Sequence, residues 1–198
     1  AGGEYPLLTP TPSTAEQDPE QIFQTVIASV QGVMTQSGIA PAQVLFVSFS
    51  AAMHSVIAVD GNGTPLTRCI TWADNRSAAW SAKLKKELGG MELYQRTGTP
   101  IHPMSPVTKL MWMRYELPSV YNQAAKFISI KEYVYFKLFG QYVVDHSIAS
   151  STGMMNLEQL AWDQQALELA GITKDHLSTI VPTTHIMNGL KNEFAAAM

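Results

Sequence analysis

Sixteen consecutive residues, Val44 to Val59, carry no charged side chain, and this run limits most tightly what the chain can fold into. It falls short of the ~20 apolar residues of a membrane-spanning helix and is broken by Ser48, Ser50, His54 and Ser55. Its β-branched and aromatic opening, Val44 to Ser50, is too short for a helix. The expectation is a buried strand there, with a second from Ser55 to Val59. Asp60-Gly61-Asn62-Gly63 has turn chemistry, and Leu66 to Thr71 returns as a third strand to make a hairpin.

Around these strands the spacing is helical. Asp18-Pro19-Glu20 combines an N-cap, a proline at the first helical position and an acid in the first turn. Ile22, Val26, Val30 and Val33 then repeat every three or four residues until Gly38. Upstream, Pro6, Pro10, Pro12 and Pro19 mark an extended or looped approach. Trp80, Leu84 and Leu88 predict another helix, Met91 to Arg96 a short one, and Val107 to Arg114 a third. Lys126 to Ser129 reads as a strand, Ile130 to Leu138 as a helix stopped by Gly140, and Tyr142 to Val144 as a brief strand. Residues 157–170 include a helix, and residues 173–177 a shorter one. Strands interleaved with helices imply an α/β fold with a mixed sheet flanked by helices. The chain opens with no strand-forming run and closes at residues 194–198 in helical pattern, so the expectation is one domain, 1–198, incomplete at both ends.

Composition narrows the function classes. Hydrophobic residues make up 46% of 198, enough for a core, while charged residues are only 15%. That is below the usual ~25%, so some apolar surface is expected to face a partner. Sixteen acidic against thirteen basic residues give a net charge of −3, which argues against nucleic-acid binding. One cysteine, Cys69, allows no internal disulfide and suits a reducing compartment. With no signal-peptide pattern and no membrane segment, a cytoplasmic location is expected. The five histidines lack metal-ligand spacing, and no phosphate-cradling glycine loop or nucleophile elbow occurs.

Two segments stand out chemically. Met53-His54 lies just past the first expected strand, where α/β folds place ligand contacts. The imidazole there could hydrogen-bond a hydroxyl, or equally be a satisfied core histidine. Trp72, Asp74 and Arg76 form a polar cluster around an indole. Asp74 reads alternatively as a helix N-cap, and Trp72 as core. Lys131-Glu132 reads as easily as an exposed surface pair, and the ten methionines as adaptable core filler.

Seven segments in register carry a resemblance. Ser50-Ala51-Ala52-Met53-His54-Ser55 comes first, then the stretch from Cys69 through Trp72, Asp74 and Arg76, and Arg96 through Met104. Ile130-Lys131-Glu132-Tyr133, Gln141 to Asp145, Gly153 to Asn156 and Val181 to Thr184 follow. Together they resemble the N-terminal lobe of FGGY-family carbohydrate kinases. The resemblance implies a ribonuclease H-like, actin-like ATPase fold of two lobes around a cleft. It also implies transfer of the γ-phosphoryl group of ATP, with Mg2+, to a sugar hydroxyl, an activity that needs phosphate and metal clamps and an activating carboxylate. D-gluconate is the implied acceptor, giving 6-phosphogluconate, with a pentulose such as xylulose as the alternative. Met53 and His54 match the substrate pair, Trp72 and Asp74 the wall and polar contact of the sugar pocket, and Met104 a further pocket position. Arg76 or Lys131 is added on charge alone as partner of a sugar carboxylate. The family's opening glycine/threonine turn and its C-terminal lobe, with the catalytic aspartate, have no counterpart here. The isolated chain is therefore expected to be catalytically silent, with open sheet edges that pair with a second copy as a homodimer. A non-catalytic sugar- or partner-binding module is the reading from another class.

Overall fold

A computed structural model describes residues 1–195. The chain enters through β1 (Glu16–Gln17) and α1 (Pro19–Ser37), followed by β2 (Ile57–Val59) and β3 (Cys69–Ile70). Then come α2 (Ala78–Glu87), α3 (Gly90–Thr97), α4 (Pro106–Glu116), α5 (Pro118–Gln123), β4 (Lys126–Ile128) and α6 (Ile130–Phe139). β5 (Val143–Asp145), α7 (His146–Ser150), β6 (Met155–Asn156), β7 (Ala161–Trp162), α8 (Gln164–Ala170), β8 (Thr179–Val181) and α9 (Asn192–Ala195) complete it. The expected helical close at 194–198 lies partly outside the described residues.

Local chemistry accounts for most boundaries. Asp18 accepts hydrogen bonds from the Glu20 and Gln21 amides at 2.9 and 3.1 Å, and Gly38 ends α1 in the left-handed region. Ser129 and Glu132 form a reciprocal capping box on α6, which Gly140 closes. Asp60 takes the Asn62 and Thr64 amides, each at 2.8 Å, to build the expected turn. Gly63 sits there at φ 81° with its Cα face against the Phe136 ring, so a side chain would be both strained and overlapping. The hairpin pairing around this turn is antiparallel: Val56 exchanges both backbone bonds with Ile70, and the Leu66 amide donates to Ala58.

β2 also pairs antiparallel with β4, and β3 with β1, whereas β5 and β8 run parallel. The pairing is thus mixed, in short ladders. The β3–β2–β4 layer is apolar on both faces. Val56, Ala58, Ile70 and Phe127 pack into one hydrophobic core with Leu84, Leu93, Leu110 and Met113. The alternate residues Ile57, Val59, Cys69 and Ile128 pack into a second core with Phe23, Tyr133 and Leu138. Period-two side-chain alternation in a layer covered on both faces produces this division.

The structure corrects two expectations. Lys131-Glu132 is not an exposed surface pair, because Glu132 is buried in the α6 capping box and Lys131 is held in an ion pair with Asp145. The other concerns the first expected strand. Val44 to Ser50 belongs to no strand and is not buried: Leu45 is 91% and Phe46 80% exposed. Among the described residues no strand lies beside it to take its amides and carbonyls, so β-propensity has nothing to pair with. Only Phe49 turns inward, edge-on to Tyr135 with ring centroids 5.5 Å apart.

Candidate functional site: a crevice at the carboxyl ends of β3 and β4

The segment before β2 and the segments leaving β3 and β4 meet at one end of this layer. Strand ends of this kind are where α/β folds leave a ligand crevice. Ala52, Met53, Ser55, Cys69, Thr71, Trp72 and Ile130 line a cavity of about 220 Å3 there. Met53 and Trp72 are both exposed, Trp72 at 59%, on a wall completed by small and hydroxyl-bearing residues together with Leu7, Gln17 and Ile130. An apolar face with a few polar groups at its base suits a small polyhydroxylated ligand.

His54 takes a left-handed backbone, φ 67°, one of two non-glycine residues to do so among those described. Its ring packs away from Met53, with Nδ1 2.7 Å from the Ser151 carbonyl oxygen. A carbonyl can only accept, so Nδ1 carries the proton and Nε2 is left as the ring's acceptor. Burial holds the imidazole below its ordinary pKa; the Ser151 carbonyl opposes this, and the nearby Lys109 and His102 reinforce it. Near neutral pH the ring is thus neutral and able to accept a hydroxyl proton at Nε2.

The remaining expected site residues stand elsewhere. Asp74, 1% exposed, accepts from the Ala15 amide at 2.9 Å and from the Arg76 amide and Nε at 3.1 Å. Arg76 bridges Asp74 and Glu16 and lies 4.5 Å over the Trp112 ring. Both side chains are thereby engaged in tying β1 to the loop after β3. Met104 contributes its carbonyl, which accepts from Lys109 Nζ at 2.5 Å. Lys131 pairs with Asp145 at 2.6 Å and borders a separate groove beside Leu45, Phe46 and Phe49. Burial would raise the Asp145 carboxyl, but Lys131 and the Ile148 and Ser147 amides outweigh it and hold the pKa low. The structure therefore joins Met53 and Trp72 in one cavity, places His54 against Ser151 and Thr152 at a separate small cavity, and keeps Asp74, Arg76 and Lys131 in ion pairs.

Sequence reasoning missed Lys109, which is fully buried in α4 and also donates to the His54 carbonyl at 3.0 Å. A signal existed: it is the one charge in an eight-residue stretch, Pro106 to Met113, that is buried on every side. A helix apolar all round is buried, and a lysine within it needs internal acceptors.

Comparison with known proteins agrees with this architecture. The chain is 57% identical over 194 residues to a gluconokinase of Bacillus licheniformis, covering 98% of the chain and 37% of that relative. A crystal structure of gluconate kinase from Lactobacillus acidophilus superposes with a TM-score of 0.94 at 35% identity, covering 98% of this chain and 39% of that one. A ligand-bound xylulose kinase from the same organism matches with the same TM-score, identity and coverage. The chain thus spans well under half the length of the proteins it matches. The mixed α/β architecture is that of the N-terminal lobe of these kinases, an actin-like ATPase fold. The family model for the N-terminal domain of FGGY carbohydrate kinases matches residues 2–198, and the chain belongs to that family.

Proposed function

We propose that this chain is the acceptor-binding lobe of an ATP-dependent kinase that phosphorylates D-gluconate to 6-phosphogluconate. The observation that carries the reading is the crevice in which Met53 and Trp72 share one wall, with the adjoining residue His54 held neutral against Ser151 at a neighbouring small cavity. The 57% identity to a gluconokinase supports D-gluconate as the acceptor. In this reading Trp72 stacks on the carbon face of the sugar, Met53 adapts to its outline, and His54 accepts from a hydroxyl. Asp74 and Arg76 brace the loop that carries Trp72, and Met104 and Lys131 stand outside the cavity lining. A sugar carboxylate would reach Arg76 or Lys131 only by competing with Glu16, Asp74 or Asp145.

ATP and Mg2+ belong to the proposed reaction, yet the described residues do not fit the metal. Among these residues no three His, Cys, Asp or Glu side chains converge as a metal site. Polypeptide beyond this lobe is proposed to bind them and to supply the carboxylate that activates the hydroxyl. Among the described residues no helix is long and apolar enough to cross a membrane. A cytoplasmic setting, where ATP is at hand, is part of the proposal, as is pairing of two copies through the exposed Leu45-Phe46-Val47 edge.

Titration of the chain with D-gluconate, followed by NMR, tests the acceptor assignment. Saturable shifts at the Met53 methyl and Trp72 indole are expected, weakened about tenfold or more in His54→Ala, the scale of one lost hydrogen bond to a ligand. A folded spectrum unmoved by gluconate would sink it. The structural match to a ligand-bound xylulose kinase favours a pentulose as second reading, and shifts with xylulose alone would select it.

A further inference from the structure

Two backbone carbonyls on different loops converge on one buried side chain. The His54 carbonyl belongs to the loop entering β2, and the Met104 carbonyl to the loop entering α4. Neither has a strand or helix partner to receive it, and a buried carbonyl without a donor is costly. Lys109 Nζ reaches both, at 3.0 and 2.5 Å, from a position with 0% exposure. This is the unusual feature: among the described residues the ammonium has no carboxylate within ion-pair distance and is used instead as a two-armed backbone donor. One of its targets is the residue held at φ 67°.

We propose that Lys109 is a positioning residue for the acceptor crevice, clamping the His54 and Met104 loops together and holding the left-handed His54 backbone that aims its imidazole. The inference rests on the acceptor-site reading given above. Lys109 touches no ligand in it; it acts through the His54 peptide, whose orientation fixes both the ring and the neighbouring Met53. The Ser151 carbonyl anchors the ring from the other side, so His54 is held at backbone and side chain independently. Ser105 and Thr108 supply further ties within the same loop, the Ser105 hydroxyl to the Pro100 carbonyl and the Thr108 hydroxyl to His102. These make the Met104 side of the clamp rigid, and the lysine transmits that rigidity to His54. Burial brings the Lys109 pKa down to about 7, with Asp74 and Cys69 pulling it up and Arg76 down. Charged or neutral, the amine still has protons for both carbonyls, so the clamp survives its titration.

The test compares wild type with Lys109→Met and Lys109→Arg in the same chain. In Lys109→Met the His54 backbone shifts and couplings should lose their left-handed signature, and gluconate affinity should fall by about tenfold or more, as misplaced contacts do. Lys109→Arg keeps two donors and should restore the His54 signature and most of the affinity. A Lys109→Met protein that folds, keeps the signature and binds gluconate within twofold of wild type overturns the proposal.

Should Lys109→Met not fold, wild type decides. Through-hydrogen-bond couplings from Lys109 Nζ to the His54 and Met104 carbonyl carbons are expected, with both shifting on gluconate binding. Gluconate binding that leaves the Lys109 signals unmoved, or absence of the couplings, overturns it. If wild type binds no gluconate, the acceptor reading fails by itself. The clamp is then judged on the His54 signature in the variants and on the couplings.

Discussion

Lys109 and Cys69 are buried close to one another and respond to pH in opposite senses. Burial lowers the Lys109 pKa from 10.5 to about 7 and raises that of Cys69 from 9.0 to about 12. Between pH 7 and 10.5 the unfolded chain therefore holds a lysine proton that the folded chain has released, and stability rises with pH. Above pH 9 the folded chain keeps a thiol proton that the unfolded one loses, and this gain is cancelled. Stability should climb from pH 7 to 9 by up to roughly 1.4 kcal/mol per pH unit and then level off. Urea unfolding midpoints at pH 7, 8, 9 and 10 measure it. A flat profile from 7 to 9 contradicts the assignment, as does an undiminished rise in Lys109→Met.

The exposed Val44–Val47 segment shows, for one element, how far an apolar run can mislead. Its composition is that of a buried strand, yet Leu45 and Phe46 face solvent because the strand state depends on neighbours as much as on propensity. Phe46→Lys should accordingly change the stability of the chain by no more than about 0.5 kcal/mol, the scale of a surface substitution. A lysine at a truly buried strand position would cost several times more. The same substitution should abolish any concentration-dependent self-association through this edge, since an edge lysine blocks strand pairing. Urea unfolding and light scattering across a concentration series report the two effects separately. Large destabilisation in dilute monomer would show that the segment packs after all.

Over the whole molecule, two hydrophobic cores share the β3–β2–β4 layer, and long-range polar ties hold the helices around them. Arg96 near the end of α3 grips Asp163, the N-cap of α8, with Nε at 2.7 Å and Nη2 at 3.0 Å. The same carboxylate accepts from the Ala166 amide at 3.1 Å, and the Arg96 hydrogen bond leads the effects that hold its pKa low. Asp163→Ala removes the cap and half of a forked ion pair at once. It should destabilise the protein by about 2 kcal/mol, with the α3–α8 contact loosening before the β2 layer. Hydrogen exchange resolved by residue checks the order. Equal loss of protection in both regions would mean that the two cores unfold as one unit.

What could be read from sequence here depends on interactions within a few residues of chain. The Asp18 cap, the Asp60 turn, the Gly38 and Gly140 stops and the alternation along β2 are all of this kind, and each stands close to where its local chemistry places it. So is the resemblance of the segments around Met53, Trp72 and Ile130, which carries the family without any geometry. The tertiary structure alone decided the rest, because the deciding partner lies far away in the chain. Asp74 is taken by Ala15, 59 residues distant, and Lys109 reaches the His54 carbonyl, 55 residues away. His54 owes its tautomer to Ser151, 97 residues on. A one-dimensional pattern shows that a polar group needs a partner; only the packing of distant segments determines which partner it finds, and so which groups stay free for a ligand.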